Sequence, residues 1–231
     1  MTNYRNAGLL LLLSLLAACS PGGSDPAPSA VGAGETGASA SSSSVAAESV
    51  DASSVDLRAA LDGSFRARGQ AQLDRLQRNP MQTVCSDAPK DQPAAEAGKA
   101  IMEAATAAVV FPADSQFLGD WQAGEKVAQT GTGLQYSDDP AVPNGGNCYA
   151  CHQLDPKEIA YGTLGPPLAG YGKLRGQSEQ MLKYTWTRIW NSHAYNPCSH
   201  MPRFGEAGIL TEQQIKDLMA LLFDPESPVN L

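Results

Sequence analysis

Cys148-Tyr149-Ala150-Cys151-His152 sets two thiols and an imidazole within five consecutive residues. Two intervening residues let both sulfurs reach one edge of a porphyrin, where each joins a vinyl-derived carbon. The adjacent His152 then turns its ring beneath the iron as an axial ligand. Two rival chemistries use the same residue types. A thioredoxin-like dithiol needs a βαβ setting, which the flanking sequence lacks. A structural zinc site needs four closed ligands, and no second CxxC or HxxxH exists; Cys198 and His200 are the remaining residues for it. The motif therefore predicts one covalently held haem c.

The sixth ligand to such an iron comes from methionine or histidine. Met201 lies in Asn196-Pro197-Cys198-Ser199-His200-Met201-Pro202-Arg203-Phe204, an irregular loop after the motif. Pro202 biases Met201 toward extended backbone. Met201 is the expected ligand, with His200 and His193 as alternatives. Met81 and Met102 precede the motif, Met181 follows a polar stretch, and Met219 falls on the apolar face of the last helix and reads as core. His/Met ligation raises the potential and leaves no open iron position, so the chain is expected to relay electrons and to carry no catalytic residue.

Gly165-Pro166-Pro167-Leu168-Ala169-Gly170 resembles the GPxLxG stretch of cytochromes c. By that match the Pro166 carbonyl accepts the other ring proton of His152, fixing its tautomer, and Leu168 packs on the haem. The alternative is a Pro/Gly turn with no haem contact. Tyr171, Trp186 and Trp190 read as haem-edge or core aromatics. Lys173 and Arg175 are either propionate partners or solvated charges.

The elements that must position this chemistry are helical. Asp120 is expected to cap a helix from Trp121, ended by Gly131 and Gly133. Thr211 and Gln214 make a capping-box start, after which Ile215, Leu218, Met219 and Leu222 recur at helical spacing. A first and last helix crossing beside CxxCH is the arrangement of a class I cytochrome c, so the fold class is all-α, with the haem domain over residues 119–231. Residues 55–118 read as a helical extension. In it Leu57, Leu61, Phe65, Leu73 and Leu76 predict an apolar stripe that Gly63 and Gly69 weaken and Asn79-Pro80 ends. A second helix is expected over Ala94 to Ala108.

Residues 1–18 read as a secretory leader: Arg5, then an apolar run from Leu9 to Leu16. That run is shorter than the roughly 20 residues a spanning helix needs. Leu16-Ala17-Ala18-Cys19 resembles a bacterial lipobox with Cys19 acylated; the alternative is an ordinary cleavage site. Residues 19–54, rich in Ser, Ala, Gly and Pro, read as a flexible, disordered tether. The expected location is periplasmic, on a membrane lipid anchor. In an exported chain each of the five cysteines needs a covalent partner. Lipidation and haem attachment use three. Cys85 and Cys198 remain as an even pair, and their disulfide would tie the Met201 loop to the extension. A net charge of −8 and an isoelectric point near 4.8 argue against nucleic-acid binding and suit a partner with a positive patch.

Four segments carry a family resemblance: Phe117-Leu118-Gly119-Asp120-Trp121, Gly145 to His152, Tyr161-Gly162-Thr163-Leu164-Gly165-Pro166, and Tyr195-Asn196 through Met201-Pro202-Arg203-Phe204-Gly205. Together they are similar to SoxX, the monohaem subunit of the SoxAX cytochrome complex of bacterial thiosulfate oxidation. The resemblance spans roughly residues 56 to 229. It implies an electron-transfer subunit of an L-cysteine S-thiosulfotransferase. SoxAX joins thiosulfate to a cysteine of the carrier SoxYZ, forming a cysteine S-thiosulfonate and releasing two electrons. The catalytic haem belongs to the SoxA partner. This chain would accept electrons and pass them to a downstream cytochrome c. The lipobox and tether depart from the many SoxX proteins that are soluble. The rival reading is a free-standing, membrane-tethered respiratory electron carrier.

Overall fold

Helix-capping side chains set most of the architecture. The computed structural model describes residues 56–89 and 93–231. The leader, Cys19 and the tether expected over residues 1–54 lie outside the described residues. Seven α-helices and several 3-10 turns make up the described part, with no β-strand among them, so the fold is all-α. No helix among the described residues is long and apolar enough to cross a membrane.

The extension departs from the continuous stripe. Helix α1 (Leu57–Ser64) starts where the Asp56 carboxylate accepts from the Arg58 and Ala59 amides, but it stops within two turns. Gly69 then takes a left-handed backbone with φ +52° and lies against the Tyr136 carbonyl, where no Cβ would fit. Helical order returns only as a 3-10 turn, Leu73–Leu76. Contacts to a distant loop outweigh local periodicity here. The Arg68 guanidinium sits 4.4 Å over the Tyr136 ring, and Gln70 donates to the Asp138 carbonyl at 3.1 Å. Arg75 donates to the Leu134 carbonyl.

Asn79-Pro80 is a start, not a stop. It opens α2 (Pro80–Asp87), in which Asn79 Oδ1 accepts from the Gln82 amide at 2.7 Å and Gln82 Oε1 accepts from the Asn79 amide at 2.9 Å. A proline at the first helical position loses no hydrogen bond, so the pair favours a helix N-terminus. Helix α3 (Ala95–Ala107) follows, close to the expected span. Beyond it, two indoles of α6 (Glu179–Trp190) fasten the chain. Trp186 Nε1 donates to the Val110 carbonyl at 2.9 Å and Trp190 Nε1 to the Ala108 carbonyl at 3.0 Å. Trp186 is fully buried, and Phe117 meets it edge-on at 5.7 Å. Extension and haem domain therefore share one compact unit.

Helices α4 (Trp121–Gln129) and α7 (Glu212–Phe223) cross at the centre. Asp120 caps the first through the Gln122 amide, and Thr211 with Gln214 forms the capping box of the second. The buried Asp217 carboxylate accepts from the Asp120 amide at 3.0 Å and from Gln213 Nε2 at 2.8 Å. Gly124 lets the backbones touch, because a Cβ there would collide with the Asp217 carbonyl. Overpacking of this kind typically costs 1–3 kcal/mol. Gly124→Ala should therefore lower unfolding free energy by about 3 kcal/mol, read from a guanidinium titration followed by far-UV circular dichroism. The short helix α5 (Tyr171–Arg175) completes the set, its Gly172 and Lys173 amides donating to the buried Asn230 side chain.

Candidate haem site

The motif sits in a turn held from both ends. Asn147 takes a left-handed backbone (φ 47°), which its short polar side chain tolerates, and so swings the chain off α4. The Gly146 amide donates to the Val127 carbonyl at 2.8 Å and the Asn147 amide to the Thr130 carbonyl at 2.9 Å, fixing the turn to the end of α4. Cys148–Ala150 forms one 3-10 turn, closed by the Cys151 and His152 amides donating to the Cys148 carbonyl. On the far side the Gly162 amide donates to the Tyr149 carbonyl and the Gly165 amide to the Cys151 carbonyl, both at 2.8 Å. Tyr149 is buried in the core, so the turn cannot swivel as a unit.

His152 is oriented by the segment after the motif. Its Nδ1 lies 2.7 Å from the Pro166 carbonyl, which makes Nδ1 the protonated donor and leaves Nε2 as the free base for a metal. The ring lies against Gly165, where a Cβ would strike it. Leu168 is half-buried on the same apolar cluster, its amide donating to the Gln153 carbonyl at 2.7 Å.

The donor set fits a covalent haem. Cys148 and Cys151 carry free thiols. Burial pushes the Cys148 thiol up to about 12. No group of three or more His, Cys, Asp or Glu side chains able to hold a metal ion occurs among the described residues. The zinc alternative through Cys198 and His200 loses Cys198 as well, because that sulfur is bonded to Cys85 with the two Cα atoms 5.6 Å apart.

The loop expected to supply the sixth ligand lies between α6 and α7. Met201 is half-buried against the apolar core. A cavity of about 340 Å³ separates this loop from α2, with Met81 and Gln82 on one wall and His200, Met201 and Arg203 on the other. Met219 is fully buried, as its helical position predicts, and Met181 packs on the core. His193 is buried, with Nε2 donating to the Ser199 carbonyl at 2.9 Å and Nδ1 facing Asn191 Oδ1 at 3.1 Å, the one ring proton of the neutral imidazole lying on Nε2. Burial holds its imidazole below the usual value. Trp186 and Trp190 are stacked core residues, with ring centroids 6.1 Å apart. The Arg175 guanidinium lies over Tyr171 at 5.6 Å.

Residues 121–223 match the family described as "Cytochrome c". These residues form a cytochrome c domain, a domain whose cofactor is covalently bound haem c and whose chemistry is electron transfer. The match starts at the first residue of α4 and ends at the last residue of α7, so the crossing pair bounds the domain. An "Uncharacterized lipoprotein" of Aquifex aeolicus (strain VF5) is 43% identical over 127 residues, which cover 54% of this chain and 59% of that relative.

Sequence reasoning missed the polar residues around Met201. Asn191, Ser192 and Ser199 follow no helical period, and only the Asn191 position, one residue past a run of apolar and aromatic residues, hints at a turn that its side chain caps.

Proposed function

We propose that this chain is a SoxX-like, monohaem electron-transfer subunit of a SoxAX-type thiosulfotransferase. In this reading Cys148 and Cys151 hold the haem through thioethers, and His152 and Met201 ligate its iron. The observation that supports the His152 assignment is the 2.7 Å contact of its Nδ1 with the Pro166 carbonyl, which leaves Nε2 available to a metal. When bound, haem c supplies a one-electron couple. The chain's own residues do the rest. Pro166 and Gly165 orient the imidazole, and Leu168 excludes water. The disulfide between Cys85 and Cys198 ties the Met201 loop to the extension. With His152 and Met201 both holding the iron, no position would remain for thiosulfate, and the coupling to the SoxYZ cysteine would fall to the SoxA-type partner. Electrons released there pass through this chain to a downstream cytochrome c.

The SoxX assignment is supported by the four sequence segments that resemble that family, and by an extension packed into the same unit as the haem domain. The lipoprotein relative supports acylation of Cys19 and a periplasmic, membrane-anchored location. The same relative favours the second reading, a free-standing tethered carrier, since an anchor needs no catalytic partner. Isolation of the tagged chain from thiosulfate-grown cells, followed by haem staining, separates the two. A second stained cytochrome in stoichiometric amount is expected. Recovery as a lone haem protein, under conditions that preserve other periplasmic complexes, rejects the SoxAX reading and leaves the tethered carrier.

A further inference from the structure

We propose that Ser192 and His193 are positioning residues for Met201, forming with Ser199 a buried polar ring that holds this methionine against the iron. The proposal rests on Met201 being the axial ligand. Its basis is the way the loop's backbone is tied. Helix α6 ends at Trp190, and Asn191 turns the chain into the 3-10 turn Ser192–Ala194. The Met201 loop passes directly over that turn. The Ser192 hydroxyl donates to the Met201 carbonyl at 3.1 Å and lies 2.9 Å from the Ser199 hydroxyl. The Met201 amide donates to Ser199 Oγ at 3.2 Å. A hydroxyl carries one proton, so Ser192 shares its proton between Ser199 Oγ and the Met201 carbonyl. The result is a closed ring that engages both backbone polar groups of Met201.

His193 holds this ring from outside. Its Nε2–H donates to the Ser199 carbonyl at 2.9 Å, and its backbone amide donates to Asn191 Oδ1 at 3.0 Å. Asn191 in turn donates through Nδ2 to Glu206 Oε2 at 3.3 Å, and Arg203 pairs with the same oxygen at 2.8 Å. Asn191, Ser192 and His193 are 3%, 1% and 6% exposed. Burying three such polar side chains against an apolar core is unfavourable unless their partners are met. Here the partners converge on one residue, two positions either side of which the chain has no regular structure. Removing a member leaves an unpaired buried group in the closed state only, so the loop opens more often.

External imidazole reports that opening. It reaches the ferric iron only while Met201 is displaced, so its apparent affinity scales with the open fraction. Losing one hydrogen bond and orphaning its partner should raise that fraction about tenfold. The experiment is a spectrophotometric imidazole titration of ferric holoprotein for the wild type, Ser192→Ala, His193→Leu and His193→Gln. Each substitution is also made in a Met201→Ala background. The expected result is about tenfold tighter imidazole binding for Ser192→Ala and His193→Leu, near-wild-type binding for His193→Gln, whose amide can still donate to Ser199, and no effect of any of them once Met201 is gone. If His193→Leu yields no holoprotein, Ser192→Ala and His193→Gln carry the test. Ser192→Ala within twofold of the wild type, while Met201→Ala binds far more tightly, would overturn the positioning role and leave ligation standing. Equal binding by the wild type and Met201→Ala would overturn ligation itself.

Discussion

Replacing Met201 with alanine should abolish the weak red absorption band of Met-ligated ferric haem and lower the midpoint potential by about 100 mV, a small part of the roughly 0.8 V that axial ligands command. A thioether stabilises the ferrous state because it is a soft, neutral donor. Water or hydroxide in its place stabilises the ferric state. The covalent attachment should survive, since Cys148 and Cys151 lie in a turn fixed to α4 and to residues 162–165, far along the chain from Met201. Pyridine haemochrome spectra should therefore be unchanged while the red band disappears. The alternatives are weaker on geometry. His193 is buried, with Nε2 committed to the Ser199 carbonyl and Nδ1 set against Asn191. Met219 is sealed in the α7 core. Persistence of the red band in Met201→Ala would refute the assignment and direct attention to Met81, which lines the same cavity from α2.

The parts of this molecule that were legible in sequence are those specified by a few adjacent residues. Asp120, and Thr211 with Gln214, announce the two crossing helices because a cap is a local hydrogen bond. CxxCH announces its cofactor because thioether spacing is a covalent requirement. The cytochrome c match over residues 121–223 falls on that legible part. Helix α6 was opaque for the opposite reason. Thr185 and Thr187 are buried although polar, and Lys183 and Arg188 interrupt the apolar residues, so polarity along the sequence does not mark the face that is buried. The segment from Leu57 to Leu76 misled because its leucines recur at helical spacing, while Gly69 and the contacts to Tyr136, Leu134 and Asp138 decide its path. Asn79-Pro80 carried a readable start signal, a capping asparagine with Gln82 three residues on, yet proline also ends helices and the local sequence allows both. The Ser192–His193–Ser199 ring has no period at all. Its members meet because α6 and the Met201 loop return to one place, which is tertiary information.

The start of α2 matters because that helix carries Cys85, and breaking its bond to Cys198 is the second large effect expected. The two cysteines stand 113 residues apart, and closing so long a loop restricts the unfolded chain strongly. Chain-entropy reasoning gives about 4.7 kcal/mol for a 100-residue loop, and measured values run about 2–4 kcal/mol. The double variant Cys85→Ser/Cys198→Ser should therefore lose about 2–4 kcal/mol of unfolding free energy, read as a lower guanidinium midpoint. Disulfide reduction of the native protein should do the same, and alkylation with mass analysis should find no reactive pair beforehand. The red band should survive in the variant. Cys198 ties the loop to α2 by a covalent bond, whereas Ser192 and Ser199 hydrogen-bond the Met201 backbone and His193 holds Ser199. One bond resists global unfolding and the other set resists local opening, and the two need not fail together. A variant that keeps its stability would show that the noncovalent contacts of the extension, those of Trp186 and Trp190 among them, hold it without the disulfide. A variant that loses the red band while staying folded would transfer the positioning of Met201 from the polar ring to the disulfide.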